Sequence, residues 1–330
     1  MPAHGGPDAL GVPLHDFSTN ANACGPCPEA LAAVRGADAS RYPDPQYGAL
    51  RARLAALHGV DPARIVVAAS ASEFIVRITA AVARQARGTV QVPAHAYGDY
   101  AQAARAQGLV VAVEAAQPPC LGWACEPSTP LGQDEAGLAA RIDAWPAERP
   151  LVLDRAYAPL RLTGAGTLSP ARLDRLWQLF SPNKALGLTG VRGAYAIAPV
   201  LASPLQARVE ALAPSWPLGA HAVAMLDAWA GDAAQRWLAD CRPVLAAWKA
   251  RQQALCASWG WDVLPSQANF FCARWPDAVP MPSALGALRA QGIKLRDCTC
   301  FGLPGHVRLG VLPPASQEAL AAAWHGVRMM

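Results

Sequence analysis

The chain has 330 residues, enough for about two domains at roughly 150 residues each. Hydrophobic residues make up 53% and charged residues 16%, which describes a compact globular chain with a sizeable core and excludes extended disorder. The formal charge of +4 is small for this length and the arginines are scattered rather than gathered in a stripe, which argues against a nucleic-acid partner.

Met1 to Gly11 contain Gly and Pro but no apolar run, and no later stretch approaches 18 uninterrupted apolar residues. Neither a secretory leader nor a membrane span is expected. Residues up to about Gly25 have little periodicity of their own and are expected to lie across a domain junction. From about Pro26 to Pro214, short β-branched runs alternate with alanine-rich helical stretches, the pattern of βα units around a mostly parallel sheet. The strands expected there are Ile65 to Ala69, Thr89 to Val92, Val110 to Glu114, Leu151 to Asp154 and Ala194 to Ala198. Helical windows such as Phe74 to Arg84 and Tyr100 to Gln107 lie between them. After Pro214 comes one long helical stretch, Gly219 to Trp259, then strands near Asp262 to Pro265 and Ala268 to Arg274. A helix through Leu285 to Gln291 and a strand through His306 to Val311 complete the pattern of a smaller α+β domain. The expected division is a large domain over 31–215, with 1–30 and 216–330 forming the N-terminal segment and the small domain. No internal repeat is apparent, which sets aside solenoids and propellers.

Nine cysteines is an odd number, and most sit singly in apolar segments, as Cys256 and Cys272 do, where a reduced thiol behaves as a small hydrophobe. A reducing cytoplasm is the expected setting. Cys24-x-x-Cys27 and the distant Cys298-x-Cys300 come nearest to a metal pattern, but both are flanked by Gly and Pro and read as loop cysteines, so no metal is expected.

Only three lysines occur, Lys184, Lys249 and Lys294, against 25 arginines. Lys249 falls in a helical stretch and Lys294 at an expected strand start. Lys184 lies in Phe180-Ser-Pro-Asn-Lys-Ala-Leu-Gly-Leu-Thr-Gly-Val-Arg-Gly-Ala-Tyr195, a glycine-rich loop leading into a strand. Glycines permit turns and close approach to a ligand, and Ser181 and Arg192 are suited to a phosphate. A surface loop that is merely basic is the competing reading.

S-x-x-K followed by G-L-x-G-x-R is similar to the cofactor-lysine motif of class I and II aminotransferases that depend on pyridoxal 5'-phosphate (PLP). The resemblance runs from His4 to about Pro313 and implies the α/β PLP-dependent transferase fold type I, with a mostly parallel seven-stranded sheet in the large domain. It also implies that Lys184 holds PLP as a Schiff base and moves protons at the substrate Cα, with Ser181 and Arg192 on the cofactor phosphate. A lysine desolvated beside other cations has a lowered pKa, as such work at neutral pH requires.

Leu151-Val-Leu-Asp154 running into Arg155-Ala-Tyr157 resembles the family's D-x-A-Y segment. That implies pairing of Asp154 with the protonated pyridine nitrogen, keeping the ring an electron sink, and a hydrogen bond from Tyr157 to the 3' oxygen. From the residues alone, a buried strand-end Asp needs a partner and capping the next element is an alternative. Ala69-Ser-Ala-Ser-Glu73 occupies the place of the family's phosphate loop, with Ala71 and Ser72 as candidates, although a Ser before a helix is commonly an N-cap.

Pro93-Ala-His-Ala-Tyr97-Gly-Asp-Tyr100 resembles the segment whose ring stacks on PLP; Tyr97 is the better match and His95 the rival. Arg41-Tyr42-Pro-Asp-Pro45 resembles the Y-P-D-P element, whose Tyr contacts the cofactor of the neighbouring subunit and so implies a homodimer. Leu295 to Gly310 resembles the substrate segment, with Arg308 placed for the α-carboxylate and Arg296 for a substrate phosphate. Where most of the family has N-P-N-N-P-T-G, this chain has Glu126-Pro-Ser-Thr129-Pro-Leu-Gly132, so Thr129 stands for the cofactor-contacting Asn. Ser70 likewise stands where glycine is usual.

His4-Gly5-Gly6 and Asp16-Phe-Ser-Thr-Asn20-Ala-Asn22 are similar to segments of the threonine-phosphate decarboxylases of cobalamin biosynthesis, and put His4, Gly5 and Asn20 on the substrate side. The expected reaction is therefore loss of CO2 from L-threonine O-3-phosphate, giving (R)-1-amino-2-propanol phosphate. An aminotransferase acting on histidinol phosphate or a similar amino acid is the alternative. A non-catalytic PLP-binding protein is the third reading, resting on Thr129.

Overall fold

The computed structural model describes residues 5–115, 117–201 and 204–328. In chain order its strands are β1 (His15–Asp16), β2 (Ile65–Ala68), β3 (Thr89–Gln91), β4 (Val110–Ala112), β5 (Leu121–Cys125), β6 (Leu151–Asp154), β7 (Trp177–Phe180) and β8 (Ala194–Ile197). Then follow β9 (Asp262–Val263), β10 (Phe270–Arg274), β11 (Ile293–Lys294), β12 (Arg296–Asp297) and β13 (His306–Gly310).

Strands β2 to β8 form one seven-stranded sheet in the order β2-β8-β7-β6-β5-β3-β4. The strands β4, β3, β5, β6 and β7 are parallel, and β8 runs antiparallel to both of its neighbours. This is the α/β sheet expected for fold type I. Successive strand residues point to opposite faces. Phe180, Tyr195 and Ile197 therefore join a core with the helices Pro28–Arg35, Gly48–His58 and Ala220–Trp229. Val152, Leu179 and Ala196 pack on the other face against Ala71–Ala83 and Gly98–Ala106.

Strands β5 and β7 are not among those expected from the sequence. Neither Leu-Gly-Trp-Ala-Cys nor Trp-Gln-Leu-Phe contains a β-branched residue, and burial on both faces erases the alternation that marks a half-exposed strand. The stretch expected as one helix from Gly219 is two, Ala220–Trp229 and Asp232–Ser258. Gly231 takes an extended conformation at the N-cap of the second, a break that apolar periodicity does not register.

A second, antiparallel sheet has the order β12-β13-β10-β9. Its core is built around Phe271, Leu309 and the tryptophans Trp261, Trp275 and Trp324. The N-terminal segment touches both sheets' elements: β1 pairs with β11, Gly310 N donates to Phe17 O at 2.7 Å, and Asn22 N donates to Lys184 O at 2.9 Å. No helix among the described residues is long and apolar enough to cross a membrane.

One buried group sets an acid limit on stability. His58 Nε2 lies 2.7 Å from the Tyr195 hydroxyl, which also accepts from Trp229 Nε1 at 3.0 Å. Burial, helped by the nearby Arg155 guanidinium, pushes the imidazole down to about 4 from 6.5. The unfolded chain binds the extra proton between those two values, so stability rises with pH across that window and is lost as pH falls through it. Urea unfolding of His58→Gln should show a shallower acid loss than the wild type, by up to about 3 kcal/mol between the two ends of the window.

Candidate active site

The carboxyl ends of parallel strands are where open α/β sheets bind ligands. Here they open onto a cavity of about 330 Å³, within the size range of small-molecule sites. After β2, Ser70 caps the helix Ala71–Ala83, its hydroxyl accepting from Glu73 N at 3.1 Å, and Ala71 and Ser72 line the cavity. Ser70 has φ −169°, extended backbone open to any residue, so serine in the glycine position carries no strain. After β3, Tyr97 lines the cavity with its hydroxyl 3.3 Å from Ser72 Oγ. Its rival His95 does not line it, and bonds Phe301 O through Nδ1 at 2.8 Å.

Asp154, the last residue of β6, is buried at the cavity floor. Its Oδ1 accepts from Ala156 N at 2.9 Å and its Oδ2 from the Tyr100 hydroxyl at 2.6 Å. Burial holds the carboxyl above its ordinary range, while these two donors and the Lys184 charge pull it back. After β7 the chain delivers Ser181, Asn183 and Lys184, and Arg192 stands just before β8. Lys184 Nζ sits 5.4 Å from the centroid of the Tyr157 ring. The loop is pressed onto the N-terminal segment at Gly187, where φ is +67° and a Cβ would come within 2.7 Å of Gly25 O. Only glycine fits both conditions.

The opposite wall comes from the second sheet. Arg296 on β12 and Arg308 on β13 are register partners, both 7% exposed, and both line the cavity. Arg308 donates to Thr129 Oγ1 at 3.1 Å and to Ser18 O at 3.0 Å, and its Nε is buried without a partner. Among the described residues Arg308 forms no ion pair. Arg296 donates to Cys300 Sγ at 3.1 Å, and burial together with the Arg308 charge pushes it below the usual guanidinium range. Two adjacent buried cations make this wall a receptor for anions.

Gly5 and Asn20 also line the cavity, whereas His4 lies outside the described residues. Asn20 Nδ2 donates to the Tyr157 hydroxyl at 3.2 Å, and Asn20 Oδ1 is buried without a partner. Asn269, to which the sequence gives no part beyond the small domain, donates to Asn20 O at 3.1 Å and Ala21 O at 3.2 Å and so fixes this strap. Tyr42 does not line the cavity; it is 78% exposed and stacks on Trp216 at 4.4 Å between ring centroids. Phe301, Thr189 and Ser18 line the cavity without having been singled out from the sequence, and Cys300, read there only as a loop cysteine, lines it too. Among the described residues no cluster of three His, Cys, Asp or Glu side chains could hold a metal, and the nine cysteines are free thiols.

The cofactor expected from the sequence can be tested against these groups. PLP presents a dianionic phosphate, an aldehyde, a phenolic oxygen and a pyridine nitrogen. The buried Ser181 hydroxyl lacks a partner and lies in the same cavity as Arg192 and the open N–H groups at the start of Ala71–Ala83, a donor set suited to phosphate. The Lys184 amine and the Asp154 carboxylate supply groups for the aldehyde and the ring nitrogen. The residues present fit the cofactor.

Comparison with known proteins sets the chain beside aminotransferases. It is 28% identical over 328 residues to the histidinol-phosphate aminotransferase of Ruegeria pomeroyi, covering 93% of this chain and 89% of the relative. It is 30% identical over 328 residues to histidinol-phosphate aminotransferase 2 of Rhizobium meliloti, covering 94% and 92%. A crystal structure of the histidinol-phosphate aminotransferase from Sinorhizobium meliloti in complex with pyridoxal-5'-phosphate matches with a TM-score of 0.80 and 23% identity, over 94% of this chain and 89% of that one. The L-threonine-O-3-phosphate decarboxylase from Porphyromonas gingivalis matches with a TM-score of 0.75 and 21% identity, over 95% and 99%, a likeness of fold.

These findings overturn the expected decarboxylase and its place in cobalamin synthesis, because the relatives matched over nearly the whole sequence bear the aminotransferase name. The structure shows what part of the suggestive N-terminal segment does. Asp16 accepts from Ser18 N at 3.0 Å and Thr19 Oγ1 at 3.1 Å, and Asn22 accepts from Cys24 N at 3.0 Å and donates to Ala185 O at 3.1 Å. Asp16 and Asn22 of the segment that suggested a decarboxylase thus fold the strap onto the lysine loop, while Asn20 between them lines the cavity. The model of the aminotransferase class I and II family matches residues 12–121 and 145–325, and the chain belongs to that family.

Proposed function

We propose that this chain is a PLP-dependent aminotransferase whose amino donor is histidinol phosphate or a similar amino acid. The observation that carries the reading is the meeting of Lys184, Asp154 and the paired Arg296 and Arg308 in one cavity, in a chain whose relatives bear that name. When bound, PLP supplies an electron sink conjugated to the substrate Cα. Lys184 is the residue we assign to carrying the cofactor and to removing and returning the proton at Cα. Asp154 gives the ring nitrogen an ionised partner. Ser181, Arg192 and the backbone N–H groups of Ala71 and Ser72 hold the phosphate, and Tyr97 covers a face of the ring. Tyr157 serves the 3' oxygen. The Thr129 hydroxyl, already accepting from Arg308, ties that contact to the substrate wall.

Arg308 and Arg296 take the anionic groups of the two substrates, the phosphate of the donor and the carboxylates of the keto-acid acceptor. Gly5 and Asn20 close the substrate side. Exposed and away from its own cavity, Tyr42 suits the site of a second copy, so we assign a homodimer. In this reading residues 31–215 form the cofactor domain, and 1–30 with 216–330 the substrate-side domain. Its setting is a reducing cytoplasm, which keeps the nine thiols free.

The test mixes PLP-loaded protein with histidinol phosphate in the absence of keto acid. The amino group should appear on the cofactor in a single turnover, read by mass spectrometry of the released cofactor, and 2-oxoglutarate should then remove it. CO2 release from a phosphorylated amino acid with the cofactor unchanged, or no amino transfer at all, would overturn the proposal.

A further inference from the structure

Behind Asp154 stands a residue that the cavity does not reach. Tyr100 is fully buried, does not line the cavity, and places its hydroxyl 2.6 Å from Asp154 Oδ2. Its ring is clamped flat on Trp123, with centroids 4.4 Å apart and planes 7° from parallel, and meets the edge of Tyr97 at 5.8 Å. The hydroxyl therefore has no room to swing away. We propose that Tyr100 is a positioning residue that keeps Asp154 ionised and oriented toward the cofactor's ring nitrogen, acting through the carboxylate alone. The inference rests on the cofactor reading above.

Asp154 is held between opposing influences. Burial is the largest and favours the neutral acid; the Tyr100 hydroxyl, Ala156 N and the Lys184 charge favour the carboxylate, and Asp99 opposes it. The Cys125 thiol on β5 faces the same carboxylate and is itself pushed up by burial and by Asp154. A neutral Asp154 could not give a protonated pyridine nitrogen a charged partner. Of the favourable contributors, Tyr100 is the one whose side chain can be changed without touching the cavity wall.

Tyr100→Phe keeps the ring and its stack while deleting the donor. In the cofactor-free protein, the Asp154 carboxyl followed by infrared difference spectroscopy against Asp154→Asn should titrate about one pH unit higher than in wild type, the size expected for loss of a hydrogen bond to a charged group. PLP affinity should fall about tenfold below the wild-type midpoint, by less between the two midpoints, and converge on the wild-type value at high pH. In an Asp154→Asn background, Tyr100→Phe should weaken PLP no further. An unmoved midpoint, or an equal loss of affinity in both backgrounds, would reduce Tyr100 to packing and overturn the proposal. Should Tyr100→Phe fail to fold, Trp123→Phe, which loosens the stack but retains the hydroxyl, should move the midpoint the same way by less, and no movement would count against the idea equally. A wild type that titrates as expected but takes up no PLP would sink the cofactor reading while leaving the hold on Asp154 standing.

Discussion

Lys184→Ala should lower turnover by at least about a thousandfold and abolish borohydride-trapped attachment of PLP to the chain, with the far-ultraviolet circular dichroism unchanged. Among the described residues no other amine is placed to substitute. Lys249 Nζ is buried in the helix Asp232–Ser258 and bonded to the carbonyls of Ser266 and Ala268. Lys294 Nζ is bonded to Gly6 O and paired with Asp8 at 3.0 Å. Of the chain's three lysines only Lys184 lines the cavity. Peptide mapping after borohydride treatment checks both halves of the claim: a label on Lys184 in wild type and none in the variant. A label that persisted on another residue would move the chemistry elsewhere.

Arg308→Leu should cut kcat/KM by about a hundredfold or more, chiefly through KM, while PLP affinity stays within a few-fold of wild type. Truncating one partner of a buried, hydrogen-bonded charge pair costs on the order of 2–5 kcal/mol, and an anionic substrate would be that partner here. The guanidinium is already oriented by Thr129, Ser18 O and the rings of Phe270 and Phe301, each 5.6 Å from it, so little ordering remains to be done on binding. Arg308→Lys should fall between the two, because it keeps the charge but loses the planar fork. Steady-state kinetics with a cofactor titration on the same samples decide the matter, and a kcat/KM within threefold of wild type would take Arg308 out of substrate binding.

What could be read from the sequence follows from how local each signal is. The lysine loop and the Asp154 segment are contiguous, so their chemistry is written in neighbouring residues and the fold-type expectation follows from them. Tyr97 and His95 share a loop, and only its path decides which ring faces the cavity. Tyr100 meets Asp154 across 54 positions and Asn269 meets Asn20 across 249, and no periodicity encodes such pairings. The decarboxylase expectation failed for a related reason: Asp16 to Asn22 form a recognisable string, but Asp16 and Asn22 fold the strap, and a cavity residue such as Asn20 does not by itself say which bond is broken.

The bond from Arg308 to Ser18 O closes a circuit of 290 positions, and it bears on how the protein is made. Synthesis runs from the N-terminus, so Lys184 and Asp154 leave the ribosome while β12 and β13 are still to be translated. A chain interrupted before His306 has the residues assigned to the cofactor but lacks one of the two arginines, and its strap has no β13 to lie against. The strap, made early, thus waits for β13 to be synthesised before Ser18 and Phe17 find their partners.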